Sequence, residues 1–210
     1  MPENAASHFD PDTFHRRLNA HPSEVERGDH DLNPGTRPDG ALRPAAVLVG
    51  VVARDGGPTV LLTRRTDHLE HHPGQISFPG GHAEDGDGGA EATALREARE
   101  EIGLDGERAR VLGRLSPYVT RTGFRVTPVV AALTPPLELT PDPHEVAEIF
   151  EVPLDHLMDP ANHRLGTRRA GGAERTFYAI AYRDYDIWGA TAGMIVDLHR
   201  ALSAPPHETT

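Results

Sequence analysis

Three glutamates, Glu97, Glu100 and Glu101, crowd the second half of the stretch GGHAEDGDGGAEATALREAREEIGL, residues 80–104. Like charges at this spacing repel, and helix propensity alone would be served as well by Lys or Gln. On a helix turning about 100° per residue, Glu101 lies ~40° to one side of Glu97 and Glu100 ~60° to the other. Leu95, Ala98 and Ile102 fall together on the far side. The segment therefore reads as a helix with one apolar stripe and one carboxylate face. A solvated acidic face is the plain reading of such a pattern. The sharper reading is a site for a hard divalent cation, Mg²⁺ or Mn²⁺, which carboxylate oxygens suit and which would cancel the repulsion. Arg96 stands four residues before Glu100, the spacing of a side-chain ion pair. The Gly80-Gly81 turn ahead of the helix brings a backbone carbonyl toward the same face.

The elements that must position these groups follow from local pattern. A helix is expected over about 90–102, stopped by Gly103. PAAVLVGVVAR (44–54) and TVLLTRR (59–65) read as a strand hairpin across DGGP, and ISFPGG (76–81) as a short strand. ARVLGRLSPYVT and FRVTPVVAAL read as strands joined by RTG. The stretch from Pro135 to Pro160 is expected to mix a Pro-rich loop with one or two short helices. A hairpin is expected around AGG (170–172), and a terminal helix over IWGATAGMIVDLHRALSA, with Trp188, Met194 and Leu198 at usable spacing. Residues 11–18 suggest a short helix, and 22–43 an irregular connector. The fold class is α+β, a mixed sheet between helices, with an N-terminal extension (1–43), one domain (44–203) and a tail (204–210).

Composition narrows the partners. The chain has 210 residues, a formal net charge of −11 and no cysteine. Disulfides, zinc-thiolate sites and Cys nucleophiles are excluded. The overall field does not attract nucleic acid or an anionic membrane. An anionic substrate would need a metal ion or placed arginines. No apolar run approaches the ~20 residues of a membrane span, and the polar N-terminus lacks a signal-peptide core, so a cytoplasmic protein is expected.

Arg96-Glu97-Ala98-Arg99-Glu100-Glu101-Ile102-Gly103-Leu104 resembles the second half of the Nudix box, G-x5-E-x7-R-E-U-x-E-E-x-G-U, where U is apolar. The first half departs: six residues after Gly81 stands Asp87 rather than Glu, and eight residues rather than seven then precede Arg96. That combination is similar to the coenzyme A pyrophosphatase branch. So is the stretch upstream, where Leu61, Leu62, Thr63, Arg65, Gly74, Phe78, Pro79, Gly80 and Gly81 fit the branch's pattern L-L-T-x-R-[S/A]-x3-R-x3-G-x3-F-P-G-G. Thr66 replaces Ser/Ala, and Glu70 stands in place of Arg, a charge reversal against a substrate rich in phosphate. Arg64, Arg65, His71 and His72 are the cations that could substitute.

The resemblance implies a Nudix α/β/α sandwich and metal-dependent hydrolysis of a diphosphate within coenzyme A or acyl-CoA, giving 3′,5′-ADP and a 4′-phosphopantetheine product. Glu97, Glu100 and Glu101 would be metal-binding and catalytic carboxylates, with Glu97 as base or shared ligand and Arg96 orienting Glu100. Further ligands would be the Gly81 carbonyl and a late carboxylate from Glu145 or Glu148, of which Glu145 is chosen. Arg65, Gly74, Gln75 and Phe78 are the expected substrate contacts. Arg65 reads equally as a structural ion pair, Gln75 equally as a core group, and Trp188 first as a packing anchor. Tyr118 and Phe124 are read first as core, with stacking on an adenine the alternative. Dimers are common in the family, which keeps a homodimer among the expectations. Two alternatives stay open: another nucleoside diphosphate derivative (ADP-ribose, a dinucleotide or a nucleoside triphosphate), or a sensor domain that binds without cleaving. The full carboxylate set argues against the sensor.

Overall fold

The computed structural model describes residues 9–20, 25–68, 73–170 and 172–204. The N-terminal part carries α1 (Pro11–Ala20), β1 (Arg27–Gly28) and α2 (Asp29–Leu32). Then come β2 (Arg43–Val52), β3 (Thr59–Arg65), β4 (Ile76–Ser77), β5 (Gly80–His82) and α3 (Ala90–Ile102). The middle holds β6 (Ala109–Arg114), β7 (Tyr118–Val119), β8 (Phe124–Leu133), β9 (Val146–Pro153) and α4 (Leu154–Met158). The chain closes with β10 (Arg164–Ala170), β11 (Ala173–Tyr182), β12 (Tyr185–Trp188) and α5 (Ala190–Ser203).

A mixed sheet forms the centre. Its backbone path runs β1-β7-β8-β2-β3-β4, with β5 on β2, β6 on β8 and β9 on β3. β2 and β8 pair in parallel from Arg43↔Phe124 to Val52↔Leu133. Both read as near-continuous apolar runs because both faces are covered. Along β2, Ala46, Leu48 and Val52 join one buried cluster with Ala94, Ala98 and Ile102 of α3. Val49 and Val51 point the other way, into a second cluster with α1, α4, α5 and the small antiparallel sheet β10-β11-β12. The period-2 alternation of a strand thus feeds two cores, and the molecule is a layered α+β sandwich around a mixed sheet, as expected.

Several local expectations needed correction. Residues 146–153 form a strand, not a helix, because Val146, Ile149, Phe150 and Val152 satisfy the two cores from alternate sides of the sheet. The helical part of that stretch is only α4. Trp188 lies in β12 rather than in the terminal helix; Gly189, at φ 67°, turns the chain before α5 begins. The expected strand 109–120 is broken into β6 and β7 on either side of Pro117. Residues 22–43 contain β1 and α2, held by Asp29, which accepts from the Tyr118 hydroxyl (2.9 Å) and the Arg121 N–H (2.8 Å).

Candidate active site

Helix α3 is built to lie close to the sheet. Ala94, Ala98 and Ile102, spaced by four, are fully buried. Two alanines in that stripe let the helix backbone approach the strands. Gly103 ends the helix in the left-handed conformation (φ 67°), and Leu104 donates back to the Ala98 carbonyl at 3.3 Å. The close approach carries the opposite edge of α3 against the β5 turn. Gly80 and Gly81 are there for lack of room. A Cβ on Gly80 would stand 2.4 Å from the Ala46 carbonyl oxygen, and one on Gly81 2.6 Å from a Glu97 carboxylate oxygen.

The three glutamates do not share one environment. Glu101 is 7% exposed and accepts the Gly80 N–H at 3.1 Å. Burial pushes its carboxyl up to about 7; Glu145 and Glu97 add to the rise, while the Gly80 N–H and Arg65 oppose it. Glu97 is 17% exposed, and burial also raises its carboxyl, with the charges of Glu100 and Glu145 adding to the effect. Glu100 is 59% exposed and lies at the rim. Leu95 is only partly buried.

Arg96 gathers this edge. Its guanidinium donates to Glu100 (2.9 Å), Glu97 (3.1 Å) and the His82 carbonyl (2.8 Å). Its other donors make a two-pronged pair with Asp87, at 3.0 Å each. Asp87 also accepts from the Glu84 N–H and the Thr93 hydroxyl. These donors, Arg96 foremost, hold its carboxyl far below the usual range. The residue that departs from the box pattern thus fastens the acidic loop to α3. Its role is one that sequence reading did not find. The signal available was the spacing of an acid ahead of Thr93 and Arg96 on an N-terminal turn, which carries Gly89 as a cap without a side chain.

Arg65 brings the cation: its guanidinium stands 4.0 Å from Glu101. Glu145 is the last residue of the turn before β9, where its carbonyl accepts the Thr66 N–H at 3.0 Å. The buried Thr66 hydroxyl donates to the His144 carbonyl at 3.1 Å. The substitution at residue 66 therefore ties down the turn that carries Glu145. Glu148, the other candidate, faces away: Arg64 pairs with it at 3.3 Å and the Tyr185 hydroxyl donates to it at 2.6 Å. Glu145 belongs to the turn just before β9 and Glu148 to the strand itself, with the skipped Ala147 between them.

The expected substrate contacts separate. Arg65 stands with the carboxylates, and the Gln75 carbonyl accepts its N–H at 3.0 Å. Gly74 lines a cavity on the other side of β3, with Arg64 and Tyr185. Phe78 is 2% exposed and belongs to the core, so its side chain has no surface to offer a substrate. It anchors the strand whose next residues are Pro79, Gly80 and Gly81. Glu70, His71 and His72 lie outside the described residues. Tyr118 is buried and Trp188 is half-buried against Phe177, with rings 5.4 Å apart.

Among the described residues, no three carboxylates or imidazoles stand close enough to hold an ion as they are. The donor chemistry nevertheless fits a divalent cation. Glu97 and Glu101 are buried together beside the Gly80-Gly81 turn, their carboxyls raised by burial and by each other's neighbours, with Arg65 as the compensating charge on Glu101. No helix is long and apolar enough to cross a membrane among these residues.

A family model described as the NUDIX domain matches residues 41–170. A protein of Photorhabdus laumondii described as "Uncharacterized Nudix hydrolase NudL" is 43% identical over 157 residues, 74% of this chain and 83% of that protein. Its counterpart of the same description in Escherichia coli is 40% identical over 165 residues, 78% of this chain and 85% of that one. A solved Nudix hydrolase from M. smegmatis, RenU, shares 27% identity over 56% of this chain and 75% of its own, with a TM-score of 0.45.

Proposed function

This chain belongs to the NUDIX family, and from that premise we propose that it is a divalent-metal-dependent diphosphatase acting on coenzyme A or acyl-CoA. The products would be 3′,5′-ADP and (acyl-)4′-phosphopantetheine. The observation that carries the reaction is the buried pair Glu97 and Glu101 beside Gly80-Gly81, with Arg65 next to them. The substrate choice is supported by the upstream run from Leu61 to Gly81. The catalytic domain in this reading is 44–203.

Glu97, Glu101, Glu100, Glu145 and the Gly81 carbonyl would hold Mg²⁺ or Mn²⁺. Such an ion neutralises phosphate oxygens and makes water more acidic. The chain's own part is to position and to move a proton. Water attacks one phosphorus, the bond from that phosphorus to the bridging oxygen breaks, and the proton from water passes to a carboxylate, for which Glu97 is the candidate. Arg96, fixed by Asp87, holds Glu97 and Glu100 in place. Arg65 offers its guanidinium to a phosphate oxygen.

Purified protein is incubated with coenzyme A, with and without Mg²⁺ or Mn²⁺, and the products are identified by mass. Metal-dependent 3′,5′-ADP is the expected result. Inertness toward coenzyme A with cleavage of ADP-ribose in parallel would move the substrate and keep the chemistry. That second reading, another nucleoside diphosphate derivative, is favoured by Glu70, whose charge opposes a substrate phosphate. Glu70→Arg lowers KM for coenzyme A if residue 70 meets the substrate.

A further inference from the structure

On the side of β3 away from α3 lies an open cavity of about 610 Å³, a size ordinary for small-molecule sites. Its walls come from the end of β3, from the Gly74 turn and from the β11–β12 hairpin. It and the carboxylate site are built from the same short segment. Arg64 lines the cavity while Arg65 faces Glu101. Gly74 lines it while the carbonyl of Gln75 takes the Arg65 N–H. A ligand spanning the tip of β3 would touch both.

The lining has a particular chemistry. Arg64 and Arg183 are cations in a chain of net charge −11. Arg64 is 48% exposed and is preset by Glu148, which the Tyr185 hydroxyl holds in turn. That leaves guanidinium donors free for a further acceptor. Arg183 makes no ion pair within 4.0 Å among the described residues; its guanidinium lies 5.1 Å from the Tyr182 ring centre. Tyr185 and Trp188 supply flat apolar surface, and Phe150 braces Tyr185 from behind at 3.9 Å between ring centres, 5° from parallel. Asp184 and Asp186 add acceptors. Inorganic polyphosphate would be repelled by those aspartates. A nucleotide uses the whole set: phosphate for guanidinium, a flat base for the aromatics, and ribose hydroxyls or an exocyclic amine for the carboxylates.

The geometry points to this cavity as the subsite for the nucleotide end of the substrate, with Arg64 and Arg183 taking a phosphate and Tyr185 and Trp188 facing the base. The assignment rests on the diphosphatase reading for its substrate, but its test does not need turnover. Trp188 is the only tryptophan in the chain, so its fluorescence reports on this cavity. Glu97→Gln protein in chelator is titrated with 3′,5′-ADP and, separately, with 4′-phosphopantetheine, by fluorescence and calorimetry. Saturable fluorescence change with 3′,5′-ADP is expected, weakened about tenfold or more by Arg64→Gln, as loss of a charge-assisted contact should do. Arg183→Asn is the second variant. It keeps a residue that tolerates the positive φ of 51° found there, and it too should weaken binding. Nucleotide binding indifferent to both variants, Arg64-dependent binding of phosphopantetheine instead, or no binding of either would overturn the assignment. Absent hydrolysis with Arg64-dependent nucleotide binding would remove the reaction and keep the cavity.

Discussion

Arg64 and Arg65 are adjacent in the chain and belong to different halves of the molecule. Arg65 faces Glu101 across the α3 side of the sheet, where the acids are buried together and short of positive charge. Arg64 faces Glu148 and Tyr185 on the α5 side, where acid, base and hydroxyl are matched one to one. The ladder between β3 and β9 pairs Arg64 with Glu148 and Arg65 with Val146, skipping Ala147. One strand end thus serves two kinds of site. The α3 side concentrates like charge on Glu97 and Glu101, while on the α5 side Arg64 and Glu148 offset one another. In the reading proposed above, the first side does the chemistry and the second the recognition.

That division can be broken most directly through the acids. Glu97→Gln or Glu101→Gln should lower turnover about a thousandfold or more with the fold intact by circular dichroism. Glu148→Gln should leave kcat within a few-fold. Equal losses from Glu101→Gln and Glu148→Gln would erase the distinction between the two sides.

The charge imbalance has a stability signature in metal-free protein. Burial pushes the Glu101 carboxyl up to about 7 in the fold against an ordinary 4.5. The folded state therefore favours the protonated carboxyl. Its contribution is complete below about pH 4.5 and is lost as pH rises through about 7, a span worth about 3 kcal/mol. Urea unfolding in chelator at pH 5 and pH 8 should show that fall, and Glu101→Gln should flatten it. Added Mg²⁺ or Mn²⁺ should restore stability at pH 8 in the parent protein and not in the variant.

A smaller effect tests how tightly the α3 side is packed. Gly81→Ala places a methyl group against the Glu97 carboxylate and should cost about a hundredfold in kcat through misplacement of that group. Activity retained at the parental level would show that Glu97 is free to move. Smaller again, Asp87→Asn weakens the hold on Arg96. About a tenfold loss in kcat is expected, since Glu97 and Glu100 keep Arg96 as partner. Steady-state kinetics on coenzyme A reads both.

Much of the α3 side was legible in the sequence. Helical spacing put Glu97, Glu100 and Glu101 on one face, and Gly103 marked the stop. The α5 side was not legible. One or two short helices were expected between Pro135 and Pro160, and Glu145 and Glu148 stood there as alternatives for one late carboxylate. Burial between two cores makes 146–153 a strand, which leaves Glu145 in the turn before it and Glu148 within it. Phe78 was expected to meet substrate because it belongs to a motif that does; its burial shows that a motif residue can serve by fixing the backbone of its neighbours. Arg183 and Trp188, more than a hundred residues from Arg64, carried no local sign of sharing a cavity with it.

The sequence by itself determined the carboxylate helix, its glycine turn and its kinship. These are local facts: helix periodicity and tight turns are written within a dozen residues. Which face of β3 each arginine serves, which late glutamate joins the acids, and that Asp87 clamps Arg96 were decided by the tertiary structure. Strand faces follow from long-range pairing and from the bulge at Ala147, and burial is a property of what the rest of the chain lays on top.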